Sequence, residues 1–591
     1  MSTSTPVPGH PRDSTGRSMM TDTMALRAES IREAAEGSSC HSDTTAVEHT
    51  RYSLGENTDQ RDAAPPRIFV PPANQHRCLV LCFDGTGDQF DADNSNIVQL
   101  VSALKKDDRT KQMVYYQSGI GTYTSPKIVT PVATKISLIL DAMIAWNLGA
   151  HVMAGYEFLM QNYTANDRIC IFGFSRGAYI ARSLAGMIHK VGLLPVDNHQ
   201  QVPFAYKMYK RTDATGWAQS TAFKKAFCND VNIDFLGVRD TVDSVGLIPR
   251  RLPFTASNTI VRTFRHAISL DERRAKFKPN LWNFPSDEQK IRAQASPRVA
   301  MHALPKHHLT FPRPAIPVHF KPSTASEEDM KQSKFEIAYD GHRAPRKTDV
   351  LEVWFAGCHC DVGGGSVRNG TRHSLARIPL RWMIRECFKA DTGMMFDVQR
   401  LDELGFDPAS LYPVVRERPP TPVFENARIA PRPPRASWLR TLLGVPSHGH
   451  AAPVSSLSPD VVNCTFPPAT PMDSEVQEDI EDALSPMYDQ LHLNPLWWIL
   501  EVIPMRVRSQ RRDGQWVSKL RANLGRPRTI PHQRPHEALD ADRLRRYDRE
   551  HKPPGSLYVH RSVKTRLSAH DDAGRYYVHR AYFRAEPHWV D

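Results

Sequence analysis

The run Ile169-Cys170-Ile171-Phe172-Gly173-Phe174-Ser175-Arg176-Gly177-Ala178 decides the fold. Its first four residues carry no polar interruption, the pattern of a strand buried on both faces. Gly173-Phe174-Ser175-Arg176-Gly177 follows as G-x-S-x-G, and Ala178, Ala181, Ala185 and Ile188 mark a helical stripe that should stop at Gly192, a natural C-cap. A pentamer of this form arises by chance in a chain this long with a probability of about 0.1 to 0.2, so by itself it decides little. Strand, tight turn and helix in succession decide more. That setting raises a serine hydroxyl above a sheet on a strained turn, with glycines where side chains would collide. The plainer expectation for the same residues is a strand-to-helix turn in which Ser175 only caps the helix.

Moving outward, the same texture recurs. Cys78 to Phe83 is an apolar run that ends in Asp84-Gly85-Thr86-Gly87, and similar runs lie at Met113 to Tyr116, Phe235 to Val238 and Val350 to Phe355. Asn96 is expected to cap a helix from Ile97. A second helix is expected over 142–163, where Ala145, Leu148, Val152, Tyr156 and Leu159 recur at spacings of three and four. Strands that alternate with helices imply an α/β fold, a mostly parallel wound sheet with helices on both faces.

The chain has 591 residues, 40% of them apolar, and a formal net charge of +12; residues 501–591 hold 20 basic and 11 acidic residues, so much of the surplus sits there. Residues 1–68 are rich in Ser, Thr, Asp, Glu and Arg and poor in large apolar side chains, which predicts a disordered tail. A catalytic α/β-hydrolase-like domain is expected over 69–412. Thirteen prolines between Pro413 and Pro471 predict an insertion or linker over 413–472, and 473–591 is expected to complete or pack on the main domain. No apolar run approaches the roughly 18 residues of a membrane-spanning helix, and no secretory h-region follows Met1. Nine cysteines, an odd number, with Cys78, Cys82, Cys170 and Cys358 inside apolar runs, read as buried thiols in a reducing compartment, hence a cytoplasmic location.

A serine nucleophile needs a histidine base, itself oriented by a carboxylate. Asp240 directly follows the run Ile233 to Val238 in FLGVRDTVDSVG, at the carboxyl edge of a strand. His359 follows Val350 to Phe355 in VWFAGCHCDVGGG, where glycines let the loop turn the imidazole back across the sheet. The order Ser175, Asp240, His359 is that of an α/β-hydrolase. Alternatives remain: Asp240 as a cap for a helix from Thr241, His266 or His560 as the base, and Cys358-His359-Cys360 as part of a metal site, although no second ligand pair has usable spacing. The Gly85 N–H is a candidate partner for the Arg176 N–H in an oxyanion hole. A phosphotransferase reading of CFDGTGD places Cys82 where the attacking aspartate should stand, so that chemistry lacks its nucleophile. No cofactor or metal is expected.

With FDGTGD, GFSRGAYIARSLAGMIHKVGLLP, FLGVRDTV, HAISLDERR and VWFAGCHCDVGGG in order, the chain resembles an uncharacterised α/β-hydrolase family whose bacterial relatives include type VI secretion phospholipase effectors. The resemblance covers residues 75 to 390, with WWILEVIP and HRSV near the end. It implies a serine hydrolase with Ser175 as nucleophile, Asp240 as acid, His359 as base, and a lipid substrate. Arg239 stands where the family usually has Trp, and Cys360 where a Ser is common; Arg239 could lower the acid's pKa or draw it from the histidine. Two functions follow as expectations. The first is an esterase or lipase that takes a small-molecule or lipid ester. The second is a catalytically idle member that binds a lipid surface or protein partner through its basic, aromatic C-terminal region. Trp497, Trp498 and Arg506 to Arg512 could make peripheral membrane contact; the plainer reading is a helix packed on the core followed by a solvated basic loop. No nucleic-acid partner is expected, because no stacking motif or recognisable module accompanies the charge.

Overall fold

Strands form where the apolar runs predict them. A computed structural model of the protein describes residues 67–86, 88–119, 133–242, 251–283, 325–340, 347–420, 427–433, 474–510, 516–530, 557–582 and 586–591. The tail expected over 1–68 lies almost wholly outside the described residues, as does most of the insertion expected over 413–472. Everything described belongs to the unit Pro66–Asp591.

In chain order the strands are β1 (Phe69–Val70), β2 (Cys78–Phe83), β3 (Gln112–Gln117), β4 (Arg168–Phe174), β5 (Ile233–Arg239), β6 (Val261–Ser269), β7 (Asp349–Phe355), β8 (Phe396–Asp397), β9 (Met505–Gln510), β10 (Trp516–Arg521), β11 (Tyr558–His560) and β12 (His588–Val590). Eight of them make one sheet in the order β12-β11-β7-β6-β5-β4-β2-β3. Every neighbouring pair in it is parallel. β1 and β8 form a small antiparallel pair, and β9 and β10 another.

Alternation along β2 shows why its run is unbroken. Leu79, Leu81 and Phe83 enter a core shared with Ile169, Ile171, Val152 and Leu184. Cys78, Val80 and Cys82 enter a second core on the other face with Cys170, Phe172, Ile97 and Trp382. Helices Ala133–Asn162 and Ser175–Val191 cover the first face, and Asn96–Ala103 and Arg377–Lys389 the second. Neither face of the strand meets water, so no polar position is tolerated.

β6 was not expected as a strand. Its sequence, VRTFRHAIS, is broken by Arg265 and His266, yet all but Arg262 of its residues are buried. The polar pair is matched: Arg265 donates to Asp349 and Glu386, and His266 bonds Glu352 at 2.9 Å. The helix after β2 is capped by Ser95, whose Oγ accepts from Ile97 and Val98, rather than by the expected Asn96. Asn96 instead donates to the carbonyls of Val362 and Ala376, and so ties this helix to the loop after β7. The segment after the proline-rich stretch adds β11 and β12 beside β7, carrying the main sheet to its edge.

The chain runs from β2 outward to β3 and then returns to β4 on the other side. Crossovers therefore diverge between β2 and β4. In open parallel sheets such a switch point leaves a crevice at the carboxyl ends of the strands, where ligands bind.

Candidate active site

Ser175 follows β4 at the switch point. Phe174 ends the strand in extended conformation, and Ser175 takes a φ of 57° as the first residue of helix Ser175–Val191. A non-glycine residue in that region stores about 1–3 kcal/mol of strain. The flanking glycines are required by contact. A Cβ at Gly173 would lie 2.5 Å from the carbonyl oxygen of Gly177, and one at Gly177 would lie 2.3 Å from the carbonyl oxygens of Phe83 and Asp84. The helix thus rests directly on the end of β2. Its first turn, which includes the Arg176 N–H, carries the positive end of the helix dipole.

Asp240 leaves β5 one strand away, with a φ of 40° and a fully buried carboxylate. His359 opens the short helix His359–Gly363 after β7, reaching over the end of β6, and its Nδ1 lies 2.6 Å from Asp240 Oδ2. An ionised carboxylate only accepts, so Nδ1 carries the proton and Nε2 presents its lone pair. Nε2 is buried and has no hydrogen-bond partner among the described residues. The ring is held between two aromatics, tilted against Phe174 and edge-on to Phe277, with centroids 4.7 Å away in each case. Phe174 immediately precedes Ser175, so the imidazole is seated beside the elbow.

The electrostatics favour a neutral imidazole. Burial pushes the His359 pKa below its ordinary value; Asp240 opposes that and Arg274 reinforces it. Burial alone would raise the Asp240 carboxyl, but the Arg528 guanidinium and the His359 hydrogen bond outweigh it and hold the group far below the usual carboxylate range. Glu272, whose carboxylate accepts from the His359 backbone N–H at 3.2 Å and from Arg274 at 2.9 and 3.0 Å, is likewise held to about 2: burial works upward most strongly, but Arg274, Arg528 and His359 together outweigh it.

The other two histidines are placed elsewhere. His266 is engaged at both nitrogens, with Glu352 at Nδ1 and the Thr241 N–H at Nε2. His560 sits in β11, bonded to Ser562 and stacked on Phe355, and burial pushes it down to about 3. Neither touches Asp240. Arg239 does not engage the acid: its guanidinium is wholly buried without a hydrogen-bond partner among the described residues, and burial lowers its pKa, with Cys387, Cys82 and Asp84 as the nearby titratable groups. A different arginine, Arg528, grips Asp240. No sequence signal around Arg528 marked it.

The loop after β2 abuts the elbow, since a Cβ on Gly85 would lie 2.8 Å from the Phe174 ring. The Gly85 N–H, however, donates to Asp84 Oδ1 at 2.8 Å, so in this arrangement it is turned to a carboxylate and not toward an oxyanion. Cys358, His359 and Cys360 lie at a helix start rather than along a strand, and among the described residues no group of three His, Cys, Asp or Glu could hold a metal. A cavity of about 460 Å³ is lined by Cys360, Asp361, Asn94, Arg368 and Tyr488 but by neither Ser175 nor His359, and so it is separate from the candidate triad.

The chain matches known proteins in this same region. The model of the family described as T6SS, phospholipase effector Tle1-like, catalytic domain, matches residues 77–386. An uncharacterized protein of Saccharomyces cerevisiae, YEL023C, is 29% identical over 536 residues, which cover 77% of this chain and 76% of the yeast protein. An uncharacterized protein from Pseudomonas aeruginosa, known as a crystal structure, is 17% identical over 56% of this chain and 47% of its own, with a TM-score of 0.29. The Tle1 effector bound to the VgrG spike of the type 6 secretion system is 16% identical over 51% of this chain and 53% of its own, with a TM-score of 0.24. The chain thus spans about half the length of these two solved structures. The family match takes in β2 through the helix Arg377–Lys389, with Ser175, Asp240 and His359 inside it, and the chain belongs to the Tle1-like phospholipase effector catalytic-domain family.

Proposed function

We propose that this protein is a serine hydrolase of carboxylic esters, with lipids or phospholipids as substrates, and that it works through an acyl-enzyme on Ser175. One observation carries the proposal: His359 is fixed by Asp240 at 2.6 Å, with Nε2 unclaimed, against the residue that precedes a strained serine. Membership of a phospholipase effector family supports lipase or phospholipase activity as the class.

In the first half-reaction Ser175 Oγ attacks the ester carbonyl carbon while its proton passes to His359 Nε2. The negative charge that develops on the carbonyl oxygen is met by the Arg176 N–H in the first turn of the helix. The Gly85 amide can join only if its peptide turns away from Asp84. Collapse of the tetrahedral intermediate breaks the ester C–O bond, and His359 returns the proton to the departing alcohol. Water then attacks the acyl-enzyme by the same route, releases the acid and restores Ser175. Asp240 keeps its charge throughout and stabilises the imidazolium.

Helix Trp497–Val502 supports a lipid substrate. Glu501 is fully buried and accepts from Ala275, Asn523 and Gly525, whereas Leu496, Trp498, Ile499, Val502 and Ile503 are exposed. The charge faces inward and the apolar side faces water. Trp497 reaches the Phe277 ring at 5.6 Å, and Phe277 touches His359, so this apolar rim is continuous with the site. Such a rim suits the surface of a bilayer. The test is a panel of short-chain esters and phospholipid vesicles with a fluorophosphonate probe. Wild type should hydrolyse and be labelled; Ser175→Ala should do neither, and labelling that persists in the variant would falsify the proposal.

A further inference from the structure

We propose that Arg528 is a positioning residue for this site: its guanidinium fixes the Asp240 carboxylate for His359 and sets the pH at which the imidazole becomes a usable base. This rests on the serine hydrolase reading above. Arg528 lies outside the residues matched by the family model.

The contact is a two-pronged fork. Arg528 Nη1 donates to Asp240 Oδ1 at 2.6 Å and Nη2 to Oδ2 at 3.0 Å, and both side chains are fully buried. Nη1 also bonds the carbonyl and hydroxyl of Ser269, at 2.9 and 2.7 Å, and Nη2 bonds the Phe277 carbonyl at 2.5 Å. Together with the Ser269 N–H on Oδ1, these bonds fix the plane of the carboxylate and leave Oδ2 facing His359 Nδ1. A planar guanidinium can hold a carboxylate in one orientation; an ammonium is a point charge and cannot. The same geometry places a permanent positive charge on the acceptor that must support the imidazolium. Two cations then share one anion, and the neutral ring is favoured to lower pH. The other charged or titratable groups about His359 are Glu272 and Arg274 from the loop after β6, and Cys360 and Asp361 of its own helix; Lys278 acts on the Arg528 side.

The test compares wild type, Arg528→Met and Arg528→Lys by the pH dependence of fluorophosphonate labelling and ester hydrolysis. Thermal melting serves as a check of folding. Arg528→Met should raise the acid-side midpoint by about one pH unit. Its plateau rate should fall about tenfold as the carboxylate loses its fixed plane. Arg528→Lys should keep the wild-type midpoint and lose a similar factor in rate. A folded Arg528→Met protein with an unchanged midpoint and a rate within twofold of wild type overturns the proposal. If Arg528→Met does not fold, Arg528→Lys decides: a fivefold or greater loss of rate supports the fork, and wild-type kinetics reject it. The titration of the His359 ring by NMR, assigned with His359→Gln, reads the charge effect without turnover. It therefore separates failure of this proposal from failure of the Ser175 reading, which appears as labelling unaffected by Ser175→Ala.

Discussion

At the scale of single residues, the candidate chemistry depends on which atom holds which proton. Asp240→Asn should lower kcat by about 10⁴, because the amide favours the wrong imidazole tautomer; the figure is that of the serine protease triad. The His359 pKa is depressed, so activity should persist below the ordinary histidine value of about 6.5 and disappear only on further acidification. Stability follows a different group. The folded pKa of Asp240 lies below its unfolded value, so its contribution is complete above about pH 4 and is lost as the pH falls toward the folded value. An acid unfolding curve of Asp240→Asn should be less steep over that window. Arg239 makes the opposite case: a buried, unpaired guanidinium is costly, and Arg239→Met should raise stability by about 1 kcal/mol or more without loss of labelling, as thermal melting would show. The placement of the candidates Ser175, Asp240 and His359 beyond strand ends could be read from the sequence because each follows an apolar run, and strand ends are where an α/β sheet presents its chemistry. Arg528 could not, because it is brought to Asp240 by the fold across 288 positions, with no local pattern to announce it.

At the scale of elements, the strands were legible to within two residues wherever both faces were apolar. β6 was not, because its buried polar side chains are neutralised by partners on other elements, here Glu352, Glu386 and Asp349. Helix Trp497–Val502 shows a related limit: a run of apolar residues around one glutamate suggests a helix packed on the core, yet the glutamate is what is buried. Substitution of Ile499 or Val502 by Asp should reduce binding and turnover of phospholipid vesicles while leaving hydrolysis of short soluble esters near the wild-type rate. Equal loss on both substrates would argue against a bilayer-facing role. Gly177→Ala forces a methyl group into two backbone carbonyls, and should cost about 1–3 kcal/mol in chemical denaturation.

At the scale of the whole molecule, a buried lattice of arginines and carboxylates joins distant stretches of chain. Arg381 and Arg385 on the helix Arg377–Lys389 pair with Asp479, Asp482 and Glu475 on the helix Ser474–Leu484. Arg418, from the proline-rich stretch, pairs with Glu475, Asp479 and Asp591. Glu475, Asp479 and Asp482 thus form a buried, arginine-paired face of the helix Ser474–Leu484. Removal of one member strands the others without water, so Arg418→Ala should cost about 3–5 kcal/mol in denaturant titration. Among the described residues no helix is long and apolar enough to cross a membrane.

The fork between Arg528 and Asp240 also bears on the order in which the protein is made. On the ribosome, Ser175, Asp240 and His359 emerge well before residue 528, and the growing polypeptide carries all three without the group that orients the acid. On the serine hydrolase proposal, competence then waits until residue 528 has emerged and docked on Asp240.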